Sequence, residues 1–156
     1  FIYRKGLDLL IKAFKALNEE IQRKISFVLV GGTEKELYKL VGDFNHEKIR
    51  VVNFKQTDEL IPYYSMADCF ILPSRYDAWG MVVNEALACG IPVIVSQYAG
   101  CANDLIENNI NGYVFDPLNT DSSVSTIKKC LMEKEKSEEF VRKSKEKLNL
   151  YYKIFL

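Results

Sequence analysis

Long apolar runs are missing from this sequence. No stretch reaches eighteen consecutive apolar residues, so nothing in it is expected to cross a bilayer as a helix, and no secretory leader is expected. An excess of one charge is missing too. The 21 Lys and Arg balance the 21 Asp and Glu to a net charge of +0, which argues against a surface that coats nucleic acid. Cysteine is sparse: Cys69, Cys89, Cys101 and Cys130 show no C-x-x-C spacing, and no disulfide framework is expected. Cys69 and Cys89 lie among apolar residues and read as reduced core residues, which points to a reducing compartment. Histidine occurs once, as His46 in a polar loop beside Glu47, and reads as surface. No Asp-x-Asp pair occurs, so no metal site is expected. Gly31-Gly32 lacks the G-x-G-x-x-G spacing of a dinucleotide fingerprint. There is no internal repeat and no low-complexity linker.

What is present is a 156-residue chain with 48% hydrophobic residues, enough for one domain with a sizeable core. It opens on Phe1-Ile2-Tyr3, apolar and strand-like, without an initiating Met. Residues 1–156 are therefore expected to be a domain cut from something larger, with Phe1 to Tyr3 the end of a first strand.

Periodicity then alternates. Leu7, Leu10, Ile11, Phe14 and Leu17 recur at helical spacing. Ile25 to Val30 reads as a buried strand closed by Gly31-Gly32, whose lack of side chains lets backbone approach a ligand. Thr33 and Glu36 form a capping box for a helix over Leu37, Leu40 and Val41. Ile49 to Phe54 is a strand, and a short helix begins near Thr57 and runs to Met66. After residue 100 the pattern predicts a short helix over Cys101 to Asn108 and an Asn-Gly turn at 109–112. An edge strand follows at Tyr113 to Phe115. A helix capped by Asp121 or Ser122 covers Val124, Ile127 and Leu131. A charged helix runs from about Ser137 to Leu150, anchored by Phe140, Val141 and Leu148. The aromatic tail, residues 151–156, is expected to pack back on this domain or on another. The fold class is α/β: a Rossmann-like parallel sheet of about six strands with helices on both faces.

The densest information lies between Asp68 and Ser96. Cys69 to Leu72 suits a strand buried on both faces, and Pro73 ends it. Residues 74–79 form a polar and aromatic loop. Gly80 marks a bend, Met81 to Ala88 a helix, Gly90 its C-terminal glycine, and Pro92 to Val95 a second buried strand. Asp77 stands just before the helix and Glu85 two turns inside it, so Glu85 reaches a ligand only by leaning back toward the helix start. Between the two acids, the amides of Gly80, Met81 and Val82 are helix-start donors at the carboxyl end of the sheet. A helix N-terminus favours anions. An anion cradle flanked by two carboxylates suits a phosphorylated, hydroxyl-rich ligand such as a sugar nucleotide. The plain alternative, a loop acid and a solvated helix acid, is the commoner fate of charged residues. It is weakened here by Met81, Val82, Val83, Ala86, Leu87 and Ala88 around Glu85.

The stretch from Pro73 through Asp77-x7-Glu85 to Ile94 resembles the acid-x7-acid signature of retaining glycosyltransferases of the two-Rossmann-domain (GT-B) type, particularly glycosyltransferase family 4. The likeness extends from Arg4-Lys5-Gly6 to Asn111-Gly112. It implies a C-terminal, donor-binding domain, one half of a GT-B fold, whose N-terminal acceptor-binding domain lies outside residues 1–156. By that resemblance Glu85 holds ribose hydroxyls and Asp77, where the family often has Glu, meets the donor sugar. Lys5 and the amides of Gly80, Met81 and Val82 hold the diphosphate. Gly31-Gly32 approaches the ligand, and Asn53-Phe54-Lys55 meets the base, with Lys55 standing where a glycine is usual. No cofactor or metal is implied: the donor is a UDP- or GDP-sugar, and Lys5 with the helix N-terminus stands in for Mg²⁺.

The resemblance implies a cytoplasmic transferase of glycan, polysaccharide or glycolipid biosynthesis, working at the inner face of the membrane. Any membrane association would come through the absent domain, and the isolated domain would not turn over. Two other readings stand beside it. One is a sugar-nucleotide epimerase on the same scaffold. The other is a non-catalytic α/β module; a receiver-type module would need an acidic cluster at strand ends, and Asp68 falls at a strand start.

Overall fold

A computed structural model describes residues 2–133 and 137–155, with no side-chain account of Ser137 or of residues 150–155. The chain begins with a 3₁₀ turn, Tyr3–Lys5, and then alternates helices with strands. The helices are α1 (Leu7–Ala16), α2 (Glu19–Lys24), α3 (Glu34–Val41), α4 (Thr57–Met66), α5 (Met81–Ala88), α6 (Ala102–Leu105), α7 (Thr120–Met132) and α8 (Ser137–Phe155). The strands are β1 (Phe27–Val30), β2 (Ile49–Val52), β3 (Phe70–Leu72), β4 (Val93–Ser96) and β5 (Gly112–Phe115).

All strand pairs are parallel, as strand-helix-strand alternation requires. The strands form two sheets, β1-β2 and β3-β4-β5. Within the second, Val93 pairs with Phe70 on one side and Gly112 on the other. Strand β4 is buried at every residue, and its side chains alternate between two cores. Ile94 joins Leu10, Ile11, Phe14, Leu37, Tyr113, Ile127 and Phe140 on one face. Val93 and Val95 join Leu72, Val83, Leu87, Leu105 and Leu148 on the other. Helices therefore cover both faces: α1 packs on α7, and α5 and α6 pack on α8.

Several expectations need correction. The first strand does not extend into Tyr3, which belongs to the 3₁₀ turn closed by Lys5 N–H to Ile2 O (3.0 Å) and Gly6 N–H to Tyr3 O (3.1 Å); Phe1 lies outside the described residues. Five strands are described rather than about six. Helix α2 was not predicted: it has six residues, a single apolar side chain in Ile21, and depends on Asn18 Oδ1 accepting from the Ile21 amide (3.0 Å). Helix α7 is capped by Asn119, which accepts from Asp121 and Ser122, so those residues receive a cap rather than provide one. Cys89 is exposed and Cys69 only half-buried, while the fully buried cysteine is Cys101. The side chains of the aromatic tail lie outside the described residues. The Thr33/Glu36 capping box, the bounds of α5 and the left-handed glycine at Gly90 (φ +75°) agree with expectation.

Candidate functional site

Strands β1, β2 and β3 end at Val30, Val52 and Leu72, so Gly31-Gly32, Phe54 and the 73–80 loop all leave carboxyl ends of the parallel sheets. That edge is where open α/β folds bind ligands. The loop after β3 is held from both sides. On one side Asp77 N–H donates to Tyr98 O (3.1 Å), and Gly100 and Cys101 N–H donate to Asp77 O and Trp79 O (both 3.0 Å). Gly100 is required there: a Cβ would sit 2.2 Å from the Ala78 carbonyl oxygen. On the other side the Lys5 turn abuts the loop, with Arg75 N–H donating to Arg4 O (2.9 Å). Gly6, at φ +67°, leaves no room for a Cβ, which would lie 1.9 Å from Pro73 O.

Arg75 rivets this contact. Its guanidinium donates to both carboxylate oxygens of Asp8 (2.7 and 2.6 Å) and to Tyr3 O (2.9 Å), and it lies 3.6 Å over the Tyr3 ring. The hydrogen bond from Arg75 holds the Asp8 carboxyl below the usual aspartate range, and Asp8 raises Arg75 in turn.

The clamp delivers a cation to the acid at the head of α5. Lys5 Nζ donates to Asp77 Oδ2 at 2.6 Å. Arg4 Nη1 lies 3.6 Å from the same oxygen and donates to Tyr76 O (3.0 Å). Asp77 is 8% exposed, so its charge is desolvated but paired. Next to it Gly80 turns the chain at φ +96° into α5 with no side-chain cap. Among the described residues, the amides of Gly80, Met81 and Val82 find no backbone acceptor; the first such bond is Val83 N–H to Gly80 O (2.8 Å). Trp79 Nε1 donates to Asn84 Oδ1 (3.0 Å), which fixes the entry to the helix.

Glu85 sits elsewhere on the same helix. It is half-buried about 6 Å along the axis from Met81. Its partner is Tyr64 on α4, whose hydroxyl donates to Glu85 Oε2 at 2.8 Å. Burial first, then that carboxylate, pushes the Tyr64 phenol well above its ordinary range, so it stays a donor. The structure thus brings Lys5, Asp77 and the α5 amides together, and places Glu85 at a second point beside α4. Gly31 and Gly32 stand on the other sheet's carboxyl edge: Gly31 has φ +107° and open space around a hypothetical Cβ, and its amide donates to Val52 O (2.9 Å). Phe54 is 71% exposed there, and Lys55 is paired with Glu59 at 2.9 Å. No group of three or more metal-ligating side chains occurs among the described residues.

Sequence reasoning missed Tyr64, Asp8, Arg75, Trp79 and Asn84. Arg75, Trp79 and Asn84 lay inside the stretch that carried the resemblance. Asp8 and Tyr64 carried no signal, because their roles come from pairing across 67 and 21 residues.

Known proteins share both sequence and architecture. The chain is 32% identical over 121 residues to an uncharacterized glycosyltransferase of Methanocaldococcus jannaschii, covering 77% of this chain and 31% of that protein. It is 29% identical over 143 residues to the lipopolysaccharide 1,2-N-acetylglucosaminetransferase of Salmonella typhimurium, covering 85% and 37%. The chain spans about a third of the length of these curated relatives. Among solved structures, Anabaena HepE in complex with UDP superposes with a TM-score of 0.78 at 21% identity, over 96% of this chain and 42% of that one. Sucrose-phosphate synthase from Thermosynechococcus elongatus gives a TM-score of 0.78 at 23% identity, over 96% and 38%. These last two establish the fold as that of a GT-B glycosyltransferase domain. Residues 1–147 match the glycosyl transferases group 1 family, and the chain belongs to it.

Proposed function

We propose that this domain binds the nucleoside-diphosphate-sugar donor of a retaining hexosyltransferase of glycan, polysaccharide or glycolipid biosynthesis. The observation that carries the reading is Lys5 Nζ on Asp77 Oδ2 beside the free amides at the head of α5. A diphosphate placed against those amides meets a helix N-terminus and a mobile cation. Asp77 meets the donor sugar and Glu85, steadied by Tyr64, accepts from ribose hydroxyls. Gly31-Gly32 allows close backbone approach, and the Phe54 segment meets the base. As the bond to the sugar breaks, Lys5 and the Gly80, Met81 and Val82 amides stabilise the charge growing on the departing diphosphate, with no metal required. The donor is a uridine or guanosine diphosphate sugar; the HepE structures solved with UDP and with UDP-glucose support the uridine form. The acceptor would be held by a second domain outside these residues, in the cytoplasm at the inner face of the membrane. Within the described residues no helix is long and apolar enough to cross a membrane.

Calorimetric titration with UDP, GDP and ADP, each with and without its sugar and without Mg²⁺, tests the reading. Saturable binding of one diphosphate is expected. Glu85→Gln is expected to weaken that binding by about 1–3 kcal/mol, the usual effect of a lost charged hydrogen bond. Absence of binding to all three, or unchanged affinity in the variant, would overturn the assignment. Sugar transfer by these 156 residues alone would overturn the need for a second domain.

A further inference from the structure

Two cations address one carboxylate oxygen at the head of α5. Lys5 Nζ donates to Asp77 Oδ2 at 2.6 Å, and Arg4 Nη1 stands 3.6 Å from the same oxygen. They are held unequally. Arg4 Nη1 also donates to Tyr76 O (3.0 Å), which fastens its guanidinium to the loop that carries Asp77. Lys5 Nζ makes only the bond to Asp77 among the described residues, at the end of a flexible four-carbon stem. The backbone beneath both is fixed. Arg4 O accepts from the Arg75 amide, Tyr3 O accepts from the Arg75 guanidinium, and Gly6 abuts Pro73 O. Lys5 can therefore swing its head group away while Arg4 stays in place.

Burial makes the second cation matter. The Asp77 side chain is 11% exposed, against 36% for Lys5 and 43% for Arg4. Drawing a cation off so buried a carboxylate leaves an uncompensated charge, which costs far more than opening a surface pair. A diphosphate at the Gly80, Met81 and Val82 amides competes with that carboxylate for Lys5. Arg4 is already within ion-pair range of Oδ2, and its guanidinium has further N–H donors.

We propose that Arg4 is a positioning residue, a reserve counter-ion that holds Asp77 while Lys5 transfers to the diphosphate of the donor. The proposal rests on the donor-site reading above and gives Arg4 no contact with the ligand. No covalent bond changes in the exchange. Lys5 Nζ trades a carboxylate oxygen for a phosphate oxygen, and Arg4 Nη1 closes on Asp77 Oδ2 in its place. Arg4 then acts on diphosphate affinity through Asp77, and only while position 77 is a carboxylate.

A double-mutant cycle read by calorimetry on the full-length protein tests this, with UDP and GDP as probes. Arg4→Gln is expected to weaken whichever nucleotide binds by about five- to tenfold, because Lys5 then leaves a buried charge without a partner. In the Asp77→Asn background no such charge is left behind, and the same substitution is expected to change affinity by less than about twofold. Equal losses in the two backgrounds would overturn the proposal, because they would make Arg4 a direct ligand of the phosphates. Unchanged affinity of Arg4→Gln in the presence of Asp77 would overturn it as well. Both of those results leave the donor-site reading standing. Wild-type protein that binds neither nucleotide would overturn that reading, and the exchange with it.

Discussion

The two carboxylates on either side of the α5 amides are held in opposite ways. Asp77 is almost fully buried, is paired with a cation, and sits in a loop clamped by backbone from two directions. Glu85 is half-buried, accepts from one neutral hydroxyl, and rests on a regular helix. The first depends on many long-range contacts and two glycines that tolerate no Cβ. The second depends on one hydrogen bond. Damage at the Asp77 end should therefore spread into the fold, whereas damage at the Glu85 end should stay local.

The largest contrast is expected from glycine. Gly6→Ala drives a Cβ into the Pro73 carbonyl at a left-handed φ and should cost about 3 kcal/mol or more by pushing the Lys5 turn off the loop. Gly31→Ala meets open space and should cost only the backbone strain, about 1–2 kcal/mol. Thermal or urea unfolding of the two variants compares them, and equal losses would dissolve the distinction. Next comes the rivet. Arg75→Lys gives up the two-pronged grip on Asp8 and the stack on Tyr3, for an expected loss of about 1–3 kcal/mol.

The same pair predicts a pH dependence. The carboxyl of Asp8 lies below its ordinary 3.8 in the fold because of the Arg75 hydrogen bond. Its contribution is therefore complete above 3.8 and is lost as pH falls through the folded value. The stability gap between the wild type and Asp8→Asn should be constant near neutrality and shrink in acid; a gap that widens in acid would contradict the pairing. The smallest effect belongs to Tyr64→Phe, which removes the hydroxyl from Glu85 and should cost about 0.5–1.5 kcal/mol of stability, with the Lys5–Asp77 contact unchanged by NMR. A shift in the Lys5 or Asp77 signals of that variant would show that the two ends are coupled.

Where local chemistry dominates, reading the sequence succeeded. The runs Ile25 to Val30, Ile49 to Phe54 and Pro92 to Val95 hold strands, at 27–30, 49–52 and 93–96, and Thr33 with Glu36 became a capping box. Met81 to Ala88, between Gly80 and Gly90, became a helix with the expected bounds. Where a residue's fate depends on distant neighbours, it failed. Cys89 follows an apolar helix yet faces solvent, while Cys101, at the start of the short helix expected over 101–108, is sealed under Gly80 and takes its raised pKa of about 11 from burial. Tyr3 has strand character but turns, because its ring serves the Arg75 guanidinium.

By itself the sequence determined the alternation of helix and strand, the parallel α/β class and the acid-amide-acid order along residues 77–85, because hydrophobic period, caps and glycines act within a few residues. The tertiary structure alone decided that Lys5 reaches Asp77, that Arg75 locks Asp8 and that Tyr64 steadies Glu85. Those pairings join residues 21 to 72 positions apart, and only the packing of helices on both faces of the sheets brings such partners within reach.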